Sequence, residues 1–102
     1  MIVVAKLKAR TGKEGEVEKA LKEMISKVGN EEGTLTYTLH RSQNDPTEFL
    51  FYEQYRDKAA FDHHCSTPYF RDLFDAVGPS LAGEPIIEIY DKLEGIRDKT
   101  DR

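Results

Sequence analysis

Glu53 and His64 are the two residues of this 102-residue chain best placed to do chemistry. Glu53 lies inside the run Phe49-Leu-Phe-Tyr-Glu-Gln-Tyr55, a carboxylate among large apolar neighbours. Burial disfavours the charged form of an acid, so a carboxyl in that setting is pushed toward neutrality, where it can accept or release a proton. His64 follows in the run Asp57-Lys-Ala-Ala-Phe-Asp-His-His-Cys65, on the stripe of a helix that also carries Ala60 and Phe61. An imidazole has an unperturbed pKa of about 6.5, which suits proton transfer near neutral pH. A short strand-to-helix connection separates the two, which allows Glu53 to lie beside His64 and fix its tautomer. Tyr37 and Tyr69 offer hydroxyls to a ligand oxygen, and Phe51, Phe61 and Phe70 offer flat apolar walls. Each of these also has a structural use: Glu53 can accept a bond from Tyr37 or a backbone group, and His64 can bond a backbone carbonyl at a helix break.

Other side chains point less clearly to chemistry. Adjacent positions on a helix diverge by about a hundred degrees, so His63 and His64 do not face one metal, and Cys65 does not share the face of His64. Cys65 reads as a small buried filler, His63 as solvated, and His40 as an interface residue. No glycine-rich phosphate loop or dinucleotide fingerprint is present, so neither a metal nor a nucleotide cofactor is implied. The net charge of −4 argues against a nucleic-acid surface. No apolar run approaches the roughly 20 residues that span a bilayer, and the start Met1-Ile-Val-Val-Ala-Lys lacks the pattern of a signal peptide. A lone cysteine cannot close an internal disulfide, which suits the cytoplasm.

The elements that must position these groups are legible as patterns. Ile2 to Ala9 predicts a strand by its β-branched start and its alternation. Thr11 and Glu14 have capping-box spacing ahead of a helix whose stripe is Val17, Leu21, Met24, Ile25 and Val28, with Gly29 as its stop. Thr34 to Arg41 and Glu48 to Tyr55 predict a hairpin around Gln43-Asn-Asp-Pro46. Pairing of equal parity puts Leu35, Tyr37 and Leu39 on one face with Phe49, Phe51, Glu53 and Tyr55. Asp57 caps one short helix; Thr67, followed by Pro68, caps a second that carries Phe70, Leu73, Phe74 and Val77. Glu84 to Leu93 predicts the last strand. Residues 1–93 form one domain, and 94–102 a polar tail.

Strand, helix, strand, strand, helix pair, strand is the order of an α+β, ferredoxin-like fold: a four-stranded antiparallel sheet with helices on one face. The second sheet face would then show Ile2, Val4, Leu50 and Tyr52 to water. An apolar patch of that kind marks an interface, so a homodimer through the sheet face is expected.

The pieces Glu32-Gly-Thr-Leu-Thr-Tyr-Thr-Leu-His-Arg-Ser42, Asp45-Pro46, Tyr52-Glu-Gln-Tyr-Arg-Asp57 and His64-x-x-Thr67-Pro68, in this order and spacing, resemble the antibiotic biosynthesis monooxygenase domain family over about residues 1 to 93. The resemblance implies a dimeric α/β barrel and, as one known activity, oxygenation of phenols and quinols without a cofactor. Relatives also include haem-degrading enzymes and isomerases of a small signalling molecule. The chain departs from the family in having Tyr69 where many members carry a second histidine, and Tyr55 where many carry a tryptophan. With no tryptophan anywhere, haem degradation is not the expectation. Expected instead is a monooxygenase acting on a small aromatic substrate and dioxygen, with His64 and Glu53 catalytic and Tyr37, Tyr69, Phe51, Phe61 and Phe70 binding substrate. Two alternatives stay open: an isomerase of a small carbonyl metabolite, and a non-catalytic small-molecule-binding dimer.

Overall fold

A computed structural model describes residues 1–99. The elements run β1 (Ile2–Lys8), α1 (Glu14–Val28), β2 (Thr34–Arg41), β3 (Glu48–Tyr55), α2 (Lys58–Ser66), α3 (Pro68–Val77), a 3₁₀ turn (Gly78–Ser80) and β4 (Ile86–Tyr90). The sheet is antiparallel, in the order β2-β3-β1-β4. This is the α+β, ferredoxin-like arrangement expected from the element order. Of the tail assigned to 94–102, residues 100–102 lie outside the described residues, and Glu94 to Lys99 form neither helix nor strand.

Alternation in the strands decides which face meets the helices. Val3, Ala5 and Leu7 of β1 and Phe49, Phe51, Glu53 and Tyr55 of β3 are all buried. Helix α1 lays Val17, Leu21, Met24 and Val28 on that face, and α3 adds Leu73 and Val77. Burying such a side chain stabilises the fold by about 1.5–3 kcal/mol, so α1 and α3 are held by packing. Beyond the sheet, Ala9 bridges to Leu81 and the Arg10 N–H donates to the Ser80 carbonyl at 2.8 Å, tying the 3₁₀ turn to the end of β1.

Three local expectations are corrected. Helix α1 does not start at a Thr11 cap: Gly12 takes a φ of +89°, the helix opens at Glu14, and Lys13 stands at its N-cap with no side-chain bond. The Glu14 carboxylate instead accepts from the Gly12 N–H at 2.8 Å. The left-handed residue carries the chain into the helix later than the Thr-Glu spacing suggests, and Thr11 is left outside. The second correction is Leu35. The hairpin pairs Tyr37 with Glu53 and Leu39 with Phe51 as expected, but its register shifts between Thr34 and Thr36. That bulge turns Leu35 outward, where it is 57% exposed. The third is β4, which is shorter than the span from Glu84 to Leu93 and exposed along its whole length.

Gly33, just before β2, sits against α2. A Cβ there would overlap the Ala60 Cβ, and the Gly33 carbonyl accepts from the Arg56 N–H at 2.9 Å. The close approach brings the α1–β2 turn onto the helix that carries His64. Gly33→Ala is expected to lower stability by about 1–3 kcal/mol, because backbone must shift to make room. An unchanged urea midpoint would show that the turn can move away freely.

Candidate active site

Asp57 caps the start of α2 and Thr67 the start of α3, as expected from sequence, and Thr67 also closes α2. Asp57 accepts from the Ala60 N–H at 2.9 Å. Thr67 closes α2 by donating its hydroxyl to the His64 carbonyl at 2.9 Å, and opens α3 by accepting from the Phe70 N–H at 3.3 Å. One side chain thus anchors the turn that presents His64. The imidazole is 2% exposed. It lies among the rings of Tyr37, Tyr55 and Phe70, with centroids 5.4, 5.5 and 5.2 Å away.

The carboxylate that holds His64 is Glu31, not Glu53. Glu31 lies in the turn between α1 and β2, is 7% exposed, and places Oε1 and Oε2 at 3.0 and 3.2 Å from His64 Nδ1. It also accepts from the Thr34 hydroxyl at 2.8 Å and from the Tyr69 hydroxyl. Glu31 therefore serves only as an acceptor, which is what an ionised carboxylate offers. Nδ1 of His64 must then carry the proton and donate, which leaves Nε2 with its lone pair and no hydrogen bond to the described residues. Burial pushes the His64 pKa below the ordinary imidazole value; Glu31 pulls it up and His63 pulls it down again, and burial prevails. The ring is neutral at pH 7. The upward shift expected from a neighbouring carboxylate is outweighed by loss of water.

Glu53, 4% exposed, has a different task. Its Oε1 accepts from the Tyr55 hydroxyl at 2.5 Å; the donor is a residue of its own strand face, not Tyr37. Burial, with a smaller push from Glu31 and against the Tyr55 bond, raises the Glu53 carboxyl from 4.5 to about 7. Tyr37 faces Glu53 across the β2–β3 ladder, stacks on Phe51 with centroids 4.6 Å apart, and makes no hydrogen bond through its hydroxyl to the described residues. Burial and the nearby carboxylates raise the Tyr37 pKa, so it remains a hydroxyl donor.

Glu53, His64, Tyr37, Phe51, Phe61 and Phe70 all line one hollow between the sheet and the α2–α3 pair, with Ile87 of β4 at its rim. Its volume is about 30 Å³, room for about one water. A ring-sized ligand needs the aromatic walls to move apart. Tyr69 is not among the lining residues. It borders a groove between α1 and α3, and its hydroxyl is turned to Glu31. Cys65 does line the hollow, and burial pushes its thiol up to about 11, far from the reactive thiolate. His40 is exposed and pairs with the Thr38 hydroxyl at 2.9 Å; His63 is exposed. Among the described residues no group of three or more His, Cys, Asp or Glu is placed to hold a metal. Sequence reasoning missed Glu31, because a glutamate in a polar turn after a helix carries no periodicity to mark it as buried.

Known proteins share both the sequence and this architecture. A protein of Synechocystis sp. is 29% identical over 90 residues, which is 88% of this chain and 61% of that protein, so the chain spans less than two thirds of this curated relative. A solved structure from Caulobacter crescentus CB15 is 39% identical, with a TM-score of 0.86 and coverage of 91% of this chain and 89% of that one. A crystal structure named antibiotic biosynthesis monooxygenase is 27% identical, with a TM-score of 0.86 over 92% of this chain and all of that one. The sequence profile described as antibiotic biosynthesis monooxygenase matches residues 1–76, most of the chain, including Glu31 and every residue that lines the hollow except Ile87. The chain belongs to the antibiotic biosynthesis monooxygenase family.

Proposed function

We propose that the protein oxygenates a small phenol or quinol by deprotonating it and letting the anion react directly with dioxygen. The observation that carries this reading is the fixed His64 tautomer: Glu31 holds Nδ1–H, so Nε2 is a neutral base at neutral pH beside an apolar hollow. Nε2 takes the hydroxyl proton. The electron-rich ring carbon of the resulting anion bonds to dioxygen; that carbon then loses its hydrogen as a proton while the O–O bond breaks, one oxygen stays on the ring as a carbonyl, and the other leaves as water with that proton and the one held by Nε2. The substrate supplies all the electrons. The Tyr37 hydroxyl, which has no hydrogen-bond partner among the described residues, orients the ring oxygen, while Phe51, Phe61 and Phe70 hold the ring and exclude water. Glu31 thus takes the orienting task first given to Glu53, and Tyr69 acts by holding Glu31.

The proposed assembly is a homodimer through the outer sheet face, where Tyr52, Ile86 and Tyr90 are exposed and Val4 and Leu50 are half-buried. The free Cys65 suits a reducing cytoplasm, and no helix among the described residues is long and apolar enough to cross a membrane.

His64→Ala is expected to lower oxygen uptake with a reactive quinol by about 10²–10⁴-fold, with the dimer unchanged by sedimentation. In the wild type, uptake should fall on acidification only below about pH 6.5, because burial keeps the ring neutral above that point. Unchanged uptake in the variant removes His64 from the mechanism. One observation favours a second reading: Glu53, with a pKa of about 7, is another proton carrier on the same hollow. Two such groups suit an isomerase that shifts a proton on a carbonyl compound. Turnover without oxygen consumption would select it. A hollow that turns over neither class of compound is the non-catalytic binding site of the third reading.

A further inference from the structure

The charges around the hollow are one-sided. Among the described residues that line it there is no lysine and no arginine; one carboxylate, Glu53, is on the wall and a second, Glu31, lies behind His64. The neighbouring surface groove that shares Cys65, Phe70 and Phe74 with it holds one arginine, Arg71, offset by Asp75. The remaining polar groups are the Tyr37 hydroxyl, the Cys65 thiol, pushed up to about 11 by burial, and His64, whose pKa burial lowers. An anionic ligand entering this space would lose its hydration, gain no cationic partner, and be repelled by carboxylates through a low-dielectric interior. A hydroxyl, by contrast, meets a free imidazole nitrogen and a tyrosine hydroxyl.

We propose that the hollow selects uncharged hydroxy-aromatic compounds and rejects those that carry a carboxylate or phosphate. The inference rests on the reading that this hollow is the ligand site, and it narrows the substrate class within it. Glu53 is the main determinant of the selection, since it faces the ligand while Glu31 is screened by the imidazole.

The test uses the intact protein and two ligands of nearly equal shape, 4-hydroxyphenylacetamide and 4-hydroxyphenylacetate, titrated by calorimetry at pH 8. Neither is a reactive quinol, so binding is read apart from oxygenation. The amide is expected to bind at least about tenfold more tightly than the anion, and Glu53→Gln should narrow that gap by raising the affinity of the anion. Equal or tighter binding of the anion by the wild type overturns the proposal. So does a gap that Glu53→Gln leaves unchanged, or failure of the wild type to bind either compound. Amide preference with no oxygen uptake on any quinol would instead uphold the selection and overturn the oxygenation reading.

Discussion

Glu31→Gln is expected to cut oxygen uptake by about 10²–10⁴-fold while leaving the affinity for ligand nearly unchanged. The reason is tautomeric. Glu31 receives hydrogen bonds from His64, Thr34 and Tyr69. A glutamine of the same shape has one acceptor oxygen and one donor NH₂, so it cannot satisfy three donors. Where the NH₂ faces Nδ1, the imidazole is driven to the opposite tautomer, and the nitrogen facing the hollow gains a proton it cannot accept twice. The ¹⁵N signals of the His64 ring report this directly, because Nε2 should change from lone-pair-bearing to protonated. The more severe Glu31→Ala leaves three buried or half-buried donors without a protein acceptor. At about 1–3 kcal/mol for each unsatisfied group, reduced where water enters, the expected loss of stability is about 3 kcal/mol. Glu31→Gln with full activity and unchanged ring signals would show that His64 needs no orienting partner.

The second large effect concerns stability against pH. The Glu53 carboxyl is raised from 4.5 to about 7 in the folded protein. Between those values the folded state holds a proton that the unfolded chain has released. The stabilisation is fully present below pH 4.5 and is lost as pH rises through 7. Integrated over that window it amounts to about 3 kcal/mol. The native state should therefore weaken between pH 5 and pH 8, against the usual trend for carboxylates. His64 acts in the opposite sense, since its lowered pKa removes stability as pH falls below the unfolded value of about 6.5. Glu53→Gln isolates the first contribution. Its stability, measured by urea unfolding, should exceed that of the wild type at pH 8 and converge toward it by pH 5. A difference that does not vary with pH would mean that Glu53 is ionised in the fold throughout this range.

These two glutamates also mark where sequence reading succeeds and where it stops. Glu53 was visible because it interrupts an alternating strand at a core position, and a period of two decides the face of every residue in the strand. His64 was visible because its helix stripe with Ala60 and Phe61 points inward, and the Asp57 and Thr67 caps fixed where that helix begins and ends. Glu31 obeys no period. It is buried because Gly33 lets the turn close on Ala60, and because Thr34, His64 and Tyr69 converge on it from β2, α2 and α3. The exposure of Leu35 has the same kind of origin, a bulge that local alternation does not encode.

What the sequence determined by itself was the order of the elements, the inward faces of β1 and β3, the Asp57 and Thr67 caps and the burial of Glu53 and His64, since these follow from short-range periodicity and local backbone chemistry. Which carboxylate meets the imidazole was decided only by tertiary structure. Residues 31 and 64 are joined through packing of a turn against a helix, and no pattern along the chain records which side chains that contact brings within hydrogen-bonding distance.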